Sequence, residues 1–395
     1  MADGNNNAAG EAAVIPSPAR FVAPTRRRGS RWPAVLVTVA AVIAAAVLVL
    51  SRWNVNDYAL TPGDATPVSS FIKVPPKLDH RLTGTILLTD VDVQQLNALT
   101  YLWQRYLSSD SQVLPSAVLL GPTPADQYAT QGFLEMSQAQ SSAKAAALTH
   151  LGYTVTPRNV GALLFGIAPG SPASRVLKVS QVITGVNGTA VTTECGLITA
   201  LHGLKPGTRA TLSVAQSSVK ESGAFVNGPV VSRTVTLGTP PKGLTEPDCG
   251  AANRVPTVYL GIDSQTQVDW SYPVKVVINT ADIGGPSAGL SMTLGIIDRL
   301  SGGDLTGKRI VAATGTIDAE GDVGDVGGVP QKTIAVERAG ATVFFVPPQE
   351  YKAALSKDTA QLHVYAVSTL DQALQILKRL GGTMPLSHVP AQTAP

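Results

Sequence analysis

The stretch Gly284-Gly285-Pro286-Ser287-Ala288-Gly289 follows an extended apolar run and opens a helix that is apolar on nearly every side. Leu290, Leu294 and Ile297 fall on one side of that helix, and Met292, Ile296 and Leu300 cover much of the rest, which marks it as a core helix. A serine at its start sits where free backbone N–H groups and the helix dipole favour negative charge. Ser287 is therefore a candidate nucleophile. A serine hydroxyl is weak without a base, and the leading candidate is Lys332 in Gly327-Gly328-Val329-Pro330-Gln331-Lys332.

Outward from this pair the pattern predicts an α/β domain over residues 255–380, preceded by a linker at 238–254. Strands are expected at 257–262 and 274–278, then the serine loop and a helix over 288–300. A strand at 309–313 leads into Thr314-Gly315-Thr316, and a helix over 331–339 carries Lys332 with Pro330 in its first turn. Strand 342–346, helix 351–355, strand 363–367 and helix 370–380 complete the domain, and 381–395 reads as a disordered tail. A lysine near its ordinary pKa of ~10.4 cannot accept a proton at neutral pH, so a basic Lys332 must be desolvated. The uncharged run around it is compatible with burial. Taken singly, Ser287 reads as a helix cap and Lys332 as a solvated helix lysine.

Together the residues of this domain resemble the proteolytic domain of the Lon protease family. The resemblance rests on Gly285-Pro286-Ser287-Ala288-Gly289, on Thr314-Gly315 followed by Gly327-Gly328-x-x-x-Lys332, and on Arg338-Ala339-Gly340 before a strand ending Val-Pro. It implies Ser287 as nucleophile, Lys332 as general base, and Thr314 as the residue that positions the lysine. An oxyanion would be held by N–H groups of the turn formed by Gly284, Gly285 and Ala288. Gly284 stands where the family usually carries an aspartate. The resemblance also implies a homo-oligomer, since such domains commonly form hexamers. Gly302 to Lys308 spells G-x-x-x-x-G-K, but Arg309 occupies the Ser/Thr position and a strand follows, so neither a nucleotide site nor an ATPase module is expected.

Residues 151–237 change to short strands with one helix, including a strand at 162–167, a Pro-Gly-Ser-Pro-Ala turn at 169–173 and an Asn187-Gly188 hairpin turn. This β-rich module resembles a bacterial PDZ domain, although Ser180-Gln181 stands where such modules usually carry Gly-Asp. The resemblance places a peptide-carboxylate loop near Leu151-Gly152-Tyr153, and implies that substrates or partners are taken by their C-termini through strand addition. A module used only for packing is the alternative.

Upstream, residues 1–31 read as a disordered basic tail. Residues 32–53 read as a transmembrane helix flanked by Trp32 and Trp53, with Arg26, Arg27, Arg28 and Arg31 on its N-terminal side. That asymmetry predicts a cytoplasmic N-terminus and everything after the span outside. A cleaved signal peptide is the alternative, but Ser51-Arg52-Trp53-Asn54 offers no small-x-small site. Outside the cytoplasm Cys195 and Cys249 can pair, stapling the middle module to the linker; free buried thiols are the other reading. Residues 54–150 read as a membrane-proximal α/β region without chemistry, with helices expected at 93–107 and 133–148.

A net charge of +3, with no basic face beyond the N-terminal arginines, argues against nucleic acid. Neither metal nor cofactor is expected. The whole reads as a multidomain α+β and α/β chain: a membrane-anchored, ATP-independent serine endopeptidase acting on unfolded or membrane-tethered proteins. The alternative is a non-catalytic PDZ scaffold with a Lon-like oligomerisation domain.

Overall fold

A computed structural model describes residues 31–121, 123–220, 223–250, 255–302 and 304–383. The expected tails at 1–31 and 381–395 lie almost wholly outside the described residues. The chain divides into two units, Met1–Leu50 and Ser51–Pro395. Helix α1 (Trp32–Arg52) buries no residue and is long and apolar enough to cross a bilayer. At ~1.5 Å per residue its length is about 30 Å, close to that of a hydrocarbon core.

The larger unit is organised on a six-stranded mixed sheet drawn from both ends of the chain. From the N-terminal side come β1 (Asn54–Pro67), β2 (Thr85–Asn97) and β3 (Gln112–Pro115). A second, six-stranded sheet holds β4 (Thr156–Ile167), β5 (Val182–Val186), β6 (Arg209–Ala215), β7 (Val230–Thr236) and β8 (Ile262–Ser271), with the short strand Thr189–Ala190 pairing with β5. The first sheet then takes β9 (Ile310–Ala313), β10 (Val343–Val346) and β11 (His363–Ala366), in the order β11-β10-β9-β2-β1-β3. Residues 54–150 are thus not the separate membrane-proximal region expected from the sequence. They supply half the strands of the C-terminal domain's sheet, with β2 pairing parallel to β9 at Thr85↔Ile310 through Leu88↔Ala313.

The sheet needs cover on both faces because its central strands are apolar without alternation. Ile86, Leu88, Val311, Ala313, Val343 and Phe345 pack to one side, against helices α3 (Ala125–His150), α5 (Gly289–Leu300) and α7 (Leu370–Arg379). Leu87, Ala312, Phe344 and Val346 pack to the other, against Val329 and Val336 of α6 (Val329–Arg338). The resulting three layers hold α5 between the sheet and α3, where eleven of its twelve residues are buried.

Two expected boundaries shift. The helix expected at 93–107 begins only at α2 (Ala98–Tyr106), because residues 93–97 continue β2 and Asn97 caps the helix through a reciprocal bond with Thr100. The linker and domain start expected at 238–254 and 255 do not separate the two parts. Strand β8 pairs with β4 along its whole length, from Ile262↔Ile167 to Ser271↔Thr156, and so closes the middle module's sheet. Only beyond Ser271 does the chain return to the first sheet's layers, where Val277–Ile278 pairs with Ile72–Lys73.

The middle module otherwise follows the PDZ-like order read from the sequence. Its sheet runs β7-β6-β5-β4-β8, and α4 (Glu194–His202) lies beside β8, with Glu194 N–H donating to Thr266 Oγ1 at 3.1 Å. The Asn187-Gly188 turn has both residues at positive φ, 48° and 83°, as a two-residue hairpin requires. Cys195 of α4 is bonded to Cys249, and His202 at the other end of α4 contacts Glu246 at 2.5 Å. Residues 246–249 are thereby strapped across α4.

Closing a loop of this size in the unfolded chain is worth about 4 kcal/mol in a chain-entropy account. Reduction, or Cys249→Ser, is therefore expected to destabilise the protein by about 2–4 kcal/mol. Denaturant unfolding followed by far-UV circular dichroism, with and without reductant, measures this; equal midpoints would show that the bond contributes nothing.

Candidate active site

The serine turn is shaped by the approach of α3. Gly285 has φ of +87°, which favours glycine, and its N–H donates to the Gly132 carbonyl of α3 at 2.8 Å. A Cβ on Gly284 would stand 3.3 Å from the Gly132 carbonyl carbon, so the position where the related family carries an aspartate is crowded here by helix backbone. Gly289 is tighter still, since a Cβ there would meet the Ile317 nitrogen at 2.8 Å. These glycines let the turn lie between α3 and the Thr316–Ile317 hairpin strand, with Ser287 half-buried at the start of α5.

Thr314 ties the serine segment to the lysine. Fully buried at the end of β9, it donates its hydroxyl to the Ser287 carbonyl at 3.3 Å and accepts from Lys332 Nζ at 3.2 Å. Gly315 N–H donates to the same Ser287 carbonyl at 3.0 Å. Lys332 reaches Thr314 from the first turns of α6, whose N-cap Gly328 is left-handed at φ 70° and whose first turn holds Pro330. A Cβ on Gly328 would meet Val91 Cγ1 at 2.8 Å, so the glycine sets how closely α6 approaches β2.

Lys332 is 2% exposed, and burial pushes its amine down to about 8, against the opposing pull of the Asp90 and Glu350 carboxylates. A sizeable neutral fraction near neutral pH follows, which is what a proton acceptor requires. Ser287 and Lys332 both line a cavity of about 750 Å³. Among the described residues the ammonium is hydrogen-bonded to Thr314 rather than to the serine hydroxyl.

The donors available to an oxyanion differ from the expectation. Gly285 N–H is committed to Gly132, whereas no hydrogen bond among the described residues takes up the N–H groups of Gly284, Ser287 and Ala288. Of these, Ser287 and Ala288 immediately precede α5 and share its positive end.

Two further placements depart from the sequence reading. Leu151-Gly152-Tyr153 does not form a carboxylate loop: it terminates α3, with Tyr153 N–H donating to Leu148 O and Leu151 buried in the core shared with α5. The PDZ-like sheet ends at β7 on one side and β8 on the other, and β8 is the edge entered through a glycine followed by an apolar residue, Gly261-Ile262, with Gly261 at φ 79°. The sequence Tyr259-Leu260-Gly261-Ile262 carried that signal. Asp90 was also missed, because residues 54–150 gave no motif; the available sign was a carboxylate closing the buried run Ile86-Leu87-Leu88-Thr89.

The PDZ domains of SdrC-like proteins from Listeria monocytogenes and Listeria innocua are similar to this chain at 17% and 16% identity. They cover 27% and 26% of this chain and 87% and 92% of theirs, each with a TM-score of 0.20. The Lon protease of Chloroflexus aggregans is 31% identical over 120 residues, 30% of this chain and 14% of that protein. The Lon protease of Clostridium acetobutylicum is 35% identical over 99 residues, 25% of this chain and 12% of that one. The chain thus spans a small part of these relatives' length. Residues 260–379, which include Ser287, Thr314 and Lys332, match the family model of the Lon protease (S16) C-terminal proteolytic domain.

Proposed function

We propose that this protein is a membrane-anchored, ATP-independent serine endopeptidase in which Ser287 and Lys332 form a catalytic dyad. The observation that supports this most is the Thr314 bridge. One buried hydroxyl binds both the carbonyl of the candidate nucleophile and the depressed amine of the candidate base, inside a cavity that both residues line. In the proposed reaction neutral Lys332 takes the Ser287 proton as the hydroxyl attacks a peptide carbonyl. The oxyanion is received by the Ser287 and Ala288 N–H groups. The lysine then returns the proton to the leaving amine and activates water to release the acyl-enzyme.

Helix α1 is the proposed anchor, with the catalytic unit outside the cytoplasm, a setting in which the Cys195–Cys249 bond persists. The open β8 edge beside α4 is the proposed site for an added peptide strand, in place of Leu151-Gly152-Tyr153. An ATP-independent peptidase of this kind would act on segments that already lack structure. A homo-oligomer, in the hexameric form of Lon-type domains, belongs to the same proposal.

Ser287→Ala and Lys332→Ala are each expected to lower cleavage of an unfolded substrate by at least about 10³-fold, and Ser287→Ala to abolish labelling by a serine-directed phosphonate. Because the base must be neutral, kcat/KM should rise with pH through about 8. Full activity in either variant would refute the dyad.

Lys332→Met separates the amine's chemistry from its stability. The folded pKa lies below the unfolded one, so the amine destabilises the fold fully below pH of about 8, and this penalty fades as pH rises toward 10.5. Lys332→Met should therefore raise stability by on the order of 2–3 kcal/mol at pH 7, with the gain vanishing near pH 10.5. Thermal unfolding of both proteins across that range measures it; a gain that does not vary with pH would show that the amine is not held out of water.

A further inference from the structure

The chain as a whole carries a net charge of +3, yet among the described residues its candidate catalytic cavity is lined by six carboxylates, Asp64, Asp90, Asp92, Glu135, Asp282 and Asp325, and by a single cationic side chain, Lys332. That cation is the one whose burial works against its charge. The cavity is therefore strongly negative within a basic protein, and a concave wall of low dielectric concentrates such a field.

Among the described residues none of these carboxylates forms a salt bridge. Asp90 accepts the Asp64 N–H at 2.7 Å through Oδ1, and Glu135 accepts the Gln131 amide at 3.2 Å through Oε1, which leaves the second oxygen of each unused among the described residues. Both are half-buried, and burial raises both above the ordinary carboxylate range. Asp90 is raised further by the neighbouring charges of Asp92 and Asp64. A second, independent sign of a missing ligand lies in the same wall. Thr89 is 1% exposed, and its hydroxyl is buried with no hydrogen-bond partner among the described residues. A buried hydroxyl without a partner is costly unless something entering the cavity satisfies it.

The remaining surface suits a particular shape of side chain. Leu119, Phe133 and Met136 line the same cavity as Asp90 and Glu135, so apolar wall and carboxylate lie side by side. Lysine and arginine are built to match, with an aliphatic stem and a charged head. A carboxylate-bearing side chain would meet repulsion at every point of the rim, and a short neutral one would leave the carboxylates uncompensated.

We infer that the cleft selects polypeptide segments carrying a lysine or arginine close to the scissile bond, with Asp90 and Glu135 as the principal specificity determinants. This deepens the peptidase reading and rests on it. Recognition is by charge and stem together, so it weakens with salt but is not abolished as a purely surface attraction would be.

The test uses the full chain in detergent or nanodiscs and matched fluorogenic peptides that differ only in one central residue: lysine, acetyl-lysine or glutamate. The lysine peptide is expected to be cleaved with kcat/KM on the order of tenfold above acetyl-lysine, glutamate being poorest. In Glu135→Gln and in Asp90→Asn the lysine to acetyl-lysine ratio should move toward one. Ser287-dependent cleavage with equal rates for lysine and acetyl-lysine overturns the inference and leaves the peptidase standing. Binding of the same peptides to the Ser287→Ala protein reads selectivity without turnover, so failure of all cleavage refutes the peptidase reading while equal affinities there still overturn the inference.

Discussion

The interaction on which this structure depends is the burial of one amine. Lys332 lies almost out of contact with water, and the single hydrogen bond that holds it among the described residues runs to Thr314. An ammonium in such a place is unfavourable, and the structure accepts that disadvantage through a set of close backbone approaches. Gly328 brings α6 onto Val91, Gly289 brings α5 onto the hairpin at Ile317, and Gly284 and Gly285 bring the serine turn onto Gly132. Of these, Gly132, Gly284, Gly285 and Val91 line the amine's cavity. Adding a Cβ at Gly289 or Gly328 would push apart elements that carry Ser287 or Lys332, so these glycines act on the chemistry without touching substrate.

The same constraint accounts for the chain's path. A parallel core of β9, β10 and β11 alone would leave the inner edge of β9 unpaired and the lysine's cavity open on that side. Strand β2, from the other end of the sequence, pairs with that edge and brings Thr89 and Asp90 into the cavity wall. Helix α3 then covers α5 and carries the chain into the PDZ-like module, which is inserted between the two halves of the catalytic sheet's strands. The module is thus joined at both of its ends to elements that line or support the cavity: α3 before it, and the segment leading to Ser287 after it.

How much of this was legible in the sequence follows from the range of each interaction. The serine turn, the α5 core helix, the Pro330 start of α6 and the strands at β9 to β11 are encoded in local periodicity and punctuation, and the structure places them within a few residues of expectation. The membership of β1 and β2 in the catalytic sheet is a pairing between distant segments, and nothing in the run Thr85-Ile86-Leu87-Leu88-Thr89 distinguishes a partner far along the chain from a nearby one. The continuation of β2 through 93–97 was read as helix because its residues carry no two-residue apolar alternation and lead directly into α2. Leu151-Gly152-Tyr153 reads as a carboxylate loop in the sequence because a glycine after an apolar residue ends a helix as readily as it opens a groove. Whether Gly285 N–H is free could not be read at all, since its acceptor lies on α3.

The acidic cavity and the depressed lysine pull against each other. Carboxylates facing Lys332 favour its charged form: Asp90 and Glu350 both oppose the shift that burial produces. An enzyme relying on this amine as a base is hindered by its own cleft while that cleft is empty. A cationic side chain from substrate, seated against Asp90 and Glu135, cancels part of the field that holds the proton on Lys332. Its own positive charge acts in the same direction. Binding of the charge-matched segment and activation of the base would then be coupled through Asp90, which lines the cavity with Lys332. Neutral segments of the same length would enter without producing that change. On this account the carboxylates do more than attract a charged segment: they restrain the lysine until that segment is present.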